Sequence, residues 1–169
     1  MLQNYVTLDI QTTGLSTKNG SRIVWISALK IKDKQVIGEF FYLLKTGARI
    51  NKFVSNIISI KQSDLKESLP PELVLPEFFR FSQDLPMVCH NAAFVKEFME
   101  HECKLRNLDG FLTYRCTWEM AKKNFPGEKN TTDALEKRFG FDAIELDGHY
   151  QSDAHKVFLI YERLKELNR

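Results

Sequence analysis

The stretch VTLDIQTTGL, from Val6 to Leu15, is the part of the sequence from which the fold can be worked out. It begins as a mostly apolar, β-rich run, reaches an acid at Asp9 and ends in the turn Thr12–Gly14. Residues two apart on a strand project from the same face, so the side chains of Asp9 and Gln11 point in the same direction. An acid at the mouth of a strand indicates a metal site, but Gln11 stands where such a site needs its second acid.

The composition is that of an ordinary globular protein. The chain has 169 residues, of which 43% are hydrophobic and 27% are charged, and its formal net charge is +2. This charge is too small to indicate a nucleic-acid partner by itself. We therefore expect a single domain over residues 1–169, large enough to bury a sizeable core.

The sequence carries no pattern typical of a secreted or membrane-spanning protein. No apolar run approaches the ~18 residues of a membrane span, and the N-terminus lacks a signal-peptide pattern. Three cysteines, Cys89, Cys103 and Cys116, have no zinc-site spacing and are typical of free thiols in a reducing compartment. These features predict a cytoplasmic protein with no membrane partner.

The first part of the chain is rich in β-forming residues. Three such runs are joined by short polar connections, which predict an antiparallel meander. Two shorter strands are predicted further along, each followed by a helical pattern. The five predicted strands are Tyr5–Ile10, Arg22–Ile31, Gln35–Leu44, Pro86–His90 and Thr113–Thr117.

Helical periodicity dominates the remainder of the chain. The segment 68–81 has a Pro-Pro start and a further proline at Pro76, so we expect a helix there to be broken or to begin late. Thr131 and Gly140 frame another helix with good capping residues at both ends. The order of elements predicts an α/β chain with a mixed sheet and helices on both faces. The other predicted helices are 54–60, Ala92–Asn107, 118–125 and Gln151–Asn168.

Three segments contain residues that could carry chemistry. The first is Asp9–Gly14, and the second is His90–Phe94, at a predicted strand-to-helix junction. The third is His149 with Asp153, which share a face if both lie on one helix. That pair could combine a base with a metal ligand. Each segment taken alone is more often a turn, a helix start or a solvated helix face than a functional site.

Taken together, the segments resemble the motifs of the DEDDh 3′–5′ exonucleases of the DNA polymerase III epsilon type, in the ribonuclease T and exonuclease superfamily. The first family motif, Asp-x-Glu-Thr-Thr-Gly, resembles Asp9–Gly14. The second, His-Asn-x-x-Phe-Asp, resembles His90–Val95, and the third, His-x-x-x-Asp-Ala, resembles His149–Ala154. The similarity extends from Tyr5 to about Leu164.

The resemblance implies a ribonuclease H-like fold, with a central mixed sheet of five strands. Strands 1–3 would form the antiparallel meander, the later strands would be parallel, and helices would cover both faces. The implied activity is hydrolysis from a 3′ end with Mg²⁺ or Mn²⁺. His149 would be the general base, with Asp9 and Asp153 completing the catalytic set. The implied metal ligands are Asp9, Asp153 and, through its amide oxygen, Gln11.

Two carboxylates of the family pattern are missing from this chain. Gln11 stands in place of Glu, and Val95 stands in place of Asp. Four carboxylates balance two divalent ions, whereas Asp9 and Asp153 together balance only one. Glu97 faces away from position 95 on a helix and offers no replacement. The sequence thus predicts at most one weakly held ion, and an exonuclease-like domain with weak or no activity.

Two alternatives remain open from the sequence. One is a non-catalytic module that binds nucleic acid or protein on the same fold. The other is a fully active Mg²⁺- or Mn²⁺-dependent 3′–5′ exonuclease that uses Gln11 as a ligand. Trp25 and Cys116 stand where the family usually has acids, and these two departures favour a loss of activity.

The resemblance also implies a groove that accepts a 3′ end of single-stranded DNA or RNA. Lys18 and Arg22 follow the first turn closely enough to meet phosphates, which would make binding salt-dependent. A polymerase or another replication or repair protein is the implied partner. The residues expected to contact nucleic acid are Thr12, Thr13, Gly14, Leu15, His90, Asn91 and Phe94.

Overall fold

The computed structural model describes residues 2–50, 54, 60–110, 112–141 and 151–168. The described part contains five strands and five α-helices. The strands are β1 (Asn4–Thr12), β2 (Ile23–Lys32), β3 (Gln35–Leu43), β4 (Met87–Cys89) and β5 (Tyr114–Cys116). The helices are α1 (Pro71–Ser82), α2 (Ala92–Lys104), α3 (Thr117–Asn124), α4 (Thr132–Phe139) and α5 (Gln151–Leu167).

The strands form one mixed sheet in the order β3-β2-β1-β4-β5. The first three strands pair antiparallel, and β4 and β5 continue the sheet in parallel pairing from β1. The β2–β3 hairpin turns at Asp33 and Lys34, whose φ angles are 49° and 67°. The predicted meander and the mixed five-stranded sheet are therefore confirmed.

Alternation along β1 gives the sheet two apolar faces. Leu8 and Ile10 belong to a buried cluster that α1 and α2 cover on one face. Tyr5 projects to the other face and packs against Val157 and Tyr161 of α5. Helices thus cover both faces, as the sequence predicts, and Asp9 and other odd-numbered residues of β1 face α5.

Helix α1 continues through Pro76 without a break, so the expected interruption or late start was wrong. Pro71 occupies the first turn, where its missing N–H has no helical acceptor to lose. Pro76 sacrifices one hydrogen bond inside the helix. Val74 and Phe78 are nearly fully buried in the core on either side of it. Their packing against the sheet outweighs the cost of the proline.

The helix that the sequence framed with capping residues is present, whereas one other predicted helix cannot be compared with the structure. Helix α4 begins after Thr131, whose side chain accepts from the Ala134 N–H, and ends at Gly140 with a φ of 65°. The helix predicted at 54–60 lies almost wholly outside the described residues. Within the described ranges, no helix is long and apolar enough to cross a membrane.

Candidate functional site

Asp9, Gln11 and Asp153 come together where the end of β1 meets the first turn of α5. The Gln11 Nε2 atom donates to Asp9 Oδ2 at 3.3 Å and to Asp153 Oδ2 at 3.0 Å. One neutral amide therefore supplies both hydrogens of its NH₂ group to the two carboxylates that the sequence analysis selected. The alternation of β1 places Asp9 and Gln11 on the α5 side of the sheet, as expected.

Ser27 anchors the first turn of α5 beside β1. Its Oγ accepts a hydrogen bond from the Ala154 N–H at 3.2 Å, in a buried position. Ser27 lies directly opposite Asp9 in the β1–β2 register. The contact therefore holds Asp153, the neighbour of Ala154, next to Asp9. Ser27 is not among the site residues predicted from the sequence, although a hydroxyl inside the apolar run of β2 was a usable signal.

The two carboxylates lie close enough for their negative charges to repel each other. Burial and the negative charge of Asp153 raise the pKa of Asp9 well above its usual range. The hydrogen bond from Gln11 and the positive charge of Lys156 act in the opposite direction. Lys156 also pairs with Glu136 at 3.1 Å, so it is shared between the site and α4. The charged form of Asp9 is thus disfavoured and depends on its hydrogen bond to Gln11.

The donor set at this place fits one divalent ion far better than two. Two carboxylates and an amide oxygen are hard ligands, which Mg²⁺ and Mn²⁺ accept. Among the residues described, which exclude 142–150, no three His, Cys, Asp or Glu side chains gather in a metal-binding group. If Asp9, Asp153 and a rotated Gln11 amide held an ion, it would orient a phosphate and polarise its oxygen.

Val95 lies in the apolar core. It is 2% exposed and belongs to the cluster that contains Leu8 and Ile10. Val95 therefore fills core volume on the α2 side and cannot act as a ligand.

Glu97 does not replace the missing carboxylate. Its Oε1 accepts a hydrogen bond from the Thr17 hydroxyl at 2.7 Å. Thr17 belongs to the 3-10 turn Thr17–Asn19, which follows the first loop. The side chain ties α2 to that loop, in agreement with the expectation that it faces away from position 95.

The turn after β1 uses its hydroxyl groups internally. Thr12 Oγ1 donates to the Gly14 carbonyl at 2.6 Å, and Thr13 Oγ1 accepts from the Arg22 N–H at 3.0 Å. A Cβ at position 14 would lie 2.5 Å from Ser21 Oγ, so a larger residue there would require the Ser21 hydroxyl to move. Both threonines are buried, and their hydroxyls shape the turn.

Leu15 and Phe94 present apolar surface near this turn. Leu15 is 72% exposed. Phe94 is half-buried and lies against Phe98, with ring centroids 4.7 Å apart. Asn91 is exposed, has a φ of 59° and precedes the first turn of α2. These positions are compatible with a nucleic-acid groove, and their role in one stays a prediction.

His90 connects three elements of the fold. Its Nδ1 lies 3.0 Å from Thr117 Oγ1, and that hydroxyl also donates to the Cys89 carbonyl at 3.3 Å. Burial lowers the pKa of His90, while a hydrogen bond to the backbone of Asn130 raises it. The ring therefore joins the end of β4 to the start of α3 and to the loop before α4. These contacts fix the orientation of the ring, and the lowered pKa favours the neutral imidazole.

The side chain of Arg22 binds a carboxylate of the protein itself. The sequence had predicted that it would meet phosphates. Its Nε and a terminal nitrogen donate to the two oxygens of Glu102 at 2.7 and 2.8 Å. Glu102 is fully buried and also pairs with Arg106 at 2.6 Å. The guanidinium of Arg22 is therefore engaged by a buried carboxylate and does not point freely into solvent, where it would meet a phosphate. Lys18 is exposed on the adjacent turn.

Trp25 and Cys116, at positions where the family usually has acids, have structural contacts. Trp25 pairs with Gln11 in the β1–β2 register and is 7% exposed. Its ring is parallel to that of Phe41, with centroids 6.3 Å apart. Cys116 Sγ accepts the Ala92 N–H at 3.4 Å. The expected general base, His149, lies outside the described residues.

The family model for exonucleases, the RNase T type, matches residues 6–151. This match covers most of the chain, so the chain belongs to the exonuclease family. Its motifs, which follow the DEDDh pattern except at Gln11 and Val95, and its ribonuclease H-like fold agree with that assignment.

Relatives with similar sequences are bacterial replication proteins. The subunit epsilon of DNA polymerase III from Rickettsia prowazekii is 34% identical over 143 residues, which are 81% of this chain and 62% of that protein. The PolC-type DNA polymerase III of Caldanaerobacter subterraneus subsp. tengcongensis is 32% identical over 164 residues. The aligned region is 96% of this chain and 12% of the polymerase, so the chain spans only a small part of that relative.

Solved structures with low sequence identity share the fold. Exonuclease X, determined with 5′-overhanging duplex DNA, has a TM-score of 0.74 at 20% identity, covering 96% of this chain and 92% of that one. Exonuclease I without ligand has a TM-score of 0.80 at 12% identity, covering 98% of this chain and 42% of that one.

Proposed function

We propose that this domain binds 3′ ends of single-stranded nucleic acid and hydrolyses them weakly or not at all. The observation that carries the proposal is the position of the Gln11 amide, which donates to both Asp9 and Asp153. In this arrangement a neutral group satisfies the carboxylates that would otherwise hold metal. The amide thus occupies the position between the carboxylates that a metal ion would otherwise take.

Charge balance supports the loss of activity. A two-metal phosphodiesterase site needs enough negative charge to hold both ions while the substrate phosphate reacts. Asp9 and Asp153 supply half of what the four-carboxylate pattern supplies. Lys156 adds a positive charge close enough to act on Asp9. Together these charges favour at most one weakly held Mg²⁺ or Mn²⁺.

The surface next to the site supports retained binding. Leu15 is exposed, Phe94 is half-buried, and Lys18 is exposed on the neighbouring turn. Apolar and aromatic groups with a nearby cation suit bases and phosphates of a single strand. Exonuclease X, which shares the fold, was determined with DNA. The relatives that are polymerase subunits favour a polymerase or another replication protein as the partner.

A degradation assay on labelled single-stranded DNA and RNA oligonucleotides tests the proposal. The unmodified protein is incubated with Mg²⁺ or Mn²⁺, and Asp9→Ala serves as the matched control. We expect binding without significant shortening in either metal, and no difference between the protein and its control. Metal-dependent shortening from the 3′ end that Asp9→Ala abolishes would contradict the proposed inactivity.

A second candidate is an active exonuclease that uses Gln11 as a metal ligand. The observation in its favour is that the Gln11 amide already lies between the two carboxylates. Rotation of the amide by half a turn would place Oε1 where Nε2 now lies. The same assay separates the candidates, because Gln11→Leu would then abolish activity in a protein that was active before the change.

A further inference from the structure

A pocket of about 290 Å³ lies between β5, α3 and α5. Asn168, at its lining, is separated from Asp153 by about 22 Å along α5, from the rise of a helix per residue. The pocket is therefore distinct from the candidate active site. Its lining residues are Arg115, Met120, Lys123, Tyr161 and Asn168.

The interior of this pocket is mostly apolar, and some of its polar groups already have partners. The Tyr161 ring packs edge-on against Tyr5, with centroids 5.0 Å apart, and the residue is 2% exposed. Its phenol oxygen interacts with the backbone of Leu2. The Asn168 amide donates to the Leu164 carbonyl at 2.6 Å. What remains for a ligand is a well-packed floor of ring and thioether atoms.

The rim of the pocket carries two cations without counter-charges. Arg115 and Lys123 are exposed, and neither forms an ion pair with another residue of the described ranges. Their neighbour Lys122, by contrast, pairs with Glu119 at 3.6 Å. An apolar cavity flanked by uncompensated positive charge is complementary to a ligand that is both apolar and acidic.

Strand β5 lies beside the pocket and forms one edge of the sheet. Its outer side pairs with no strand in the described part of the chain. An edge strand offers backbone N–H and C=O groups to an added extended segment. Side chains of such a segment alternate in direction, so every second one could point toward the pocket.

We propose that this pocket binds an extended acidic peptide of a partner protein, which inserts an apolar side chain between α3 and α5 and places carboxylates on Arg115 and Lys123. A nucleotide fits the site less well. The floor of the pocket consists mainly of ring and thioether atoms, which suit a leucine or phenylalanine side chain that needs no hydrogen-bond partner.

Fluorescence polarisation with two labelled peptides tests the proposal. One peptide alternates Asp with Leu and Phe, and the other has Lys in place of Asp. We expect the acidic peptide to bind and the basic one not to bind. Arg115→Glu with Lys123→Glu should weaken binding about tenfold or more, because both rim charges are reversed. The matched control, Lys66→Glu with Lys104→Glu, makes the same change in net charge at exposed lysines outside the pocket and should leave binding within about twofold.

A second variant examines the cavity itself. Met120→Trp fills the pocket without changing charge, so it should weaken binding of the acidic peptide while the melting temperature stays near that of the unmodified protein. Equal loss in the Lys66 and Lys104 control would overturn the proposal, since only net charge would then matter. Displacement of the peptide by oligo-dT, with the same sensitivity to the Arg115 and Lys123 changes, would overturn it in favour of a nucleic-acid site.

Discussion

The Nε2 atom of Gln11 lies 3.0 Å from Oδ2 of Asp153, a residue 142 positions further along the chain. The contact joins the end of β1 to the first turn of α5. The amide nitrogen of Gln11 faces the two carboxylates, so a hydrogen-bond donor lies where a metal ion would otherwise approach. A glutamate at position 11 would instead add a third negative charge at this point. One side chain therefore replaces a carboxylate that would need a cation with a neutral group that donates to both remaining carboxylates.

Gln11→Leu should lower the free energy of unfolding by about 1–3 kcal/mol, because two carboxylates lose their shared donor. Urea denaturation at neutral pH measures the change. The matched comparison is the same substitution in an Asp9→Asn background, where one of the two charges is already gone. The loss there should be smaller. Equal losses in both backgrounds would show that the amide contributes only by packing.

Metal binding should be weak and limited to one ion. Calorimetric titration of the metal-free protein with Mn²⁺ should give at most one saturable site, with low affinity. Asp9→Asn should abolish it, because only one carboxylate then remains. Two saturable sites with micromolar affinity would show that the charge argument is wrong.

Gln11→Glu combined with Val95→Asp should restore some Mn²⁺-dependent exonuclease activity, because both changes return carboxylates of the family pattern. Neither change alone should suffice, since residues that act as one unit are strongly non-additive. The measurement is shortening of a labelled single-stranded oligonucleotide.

The control for this restoration is Gln11→Glu with Val95→Asn, which has a similar shape at position 95 without the charge. Val95 is 2% exposed, so its replacement by Asp should destabilise the protein by several kcal/mol if the new carboxylate binds no ion. The melting temperature must therefore accompany each assay. A folded Gln11→Glu, Val95→Asp protein with no activity would count against the carboxylate explanation.

Leu15 and Phe94 should contribute to binding of single-stranded nucleic acid. Replacing both with Ala should weaken binding of a labelled oligonucleotide, with stacking on Phe94 contributing about 1–3 kcal/mol. Fluorescence polarisation at low salt measures the effect. Leu73→Ala is a suitable control, because Leu73 is 58% exposed on α1. Binding that is unchanged by the two substitutions would exclude this groove.

Stability should fall as the pH decreases below about 6.5, the usual pKa of histidine. Burial lowers the pKa of His90, so the folded state favours the neutral ring. Its contribution is fully present above the unfolded pKa and is lost as the pH falls toward the folded one. Urea midpoints between pH 5 and 8 should therefore decrease less in His90→Gln than in the unmodified protein. Parallel profiles would assign the dependence to other groups.

Much of the fold follows from local features of the sequence. Alternation in β1 separates Leu8 from Asp9 onto opposite faces of the sheet, and Thr131 and Gly140 frame α4. These effects act over a few residues, so periodicity and capping are sufficient to predict them. The motif around Asp9 and the family assignment are also readable directly, because they depend on residue order alone.

Tertiary structure decided which groups meet. The sequence places Gln11 two residues from Asp9, but only the packing of α5 on the sheet, anchored by Ser27, brings Asp153 to the same amide. Arg22 follows a turn that the sequence predicted to bind phosphate, yet its side chain pairs with buried Glu102. An unpaired carboxylate in the interior would be strongly destabilising, so this pairing takes precedence. Such contacts join residues far apart in the chain, and their free energies depend on burial that no local pattern encodes.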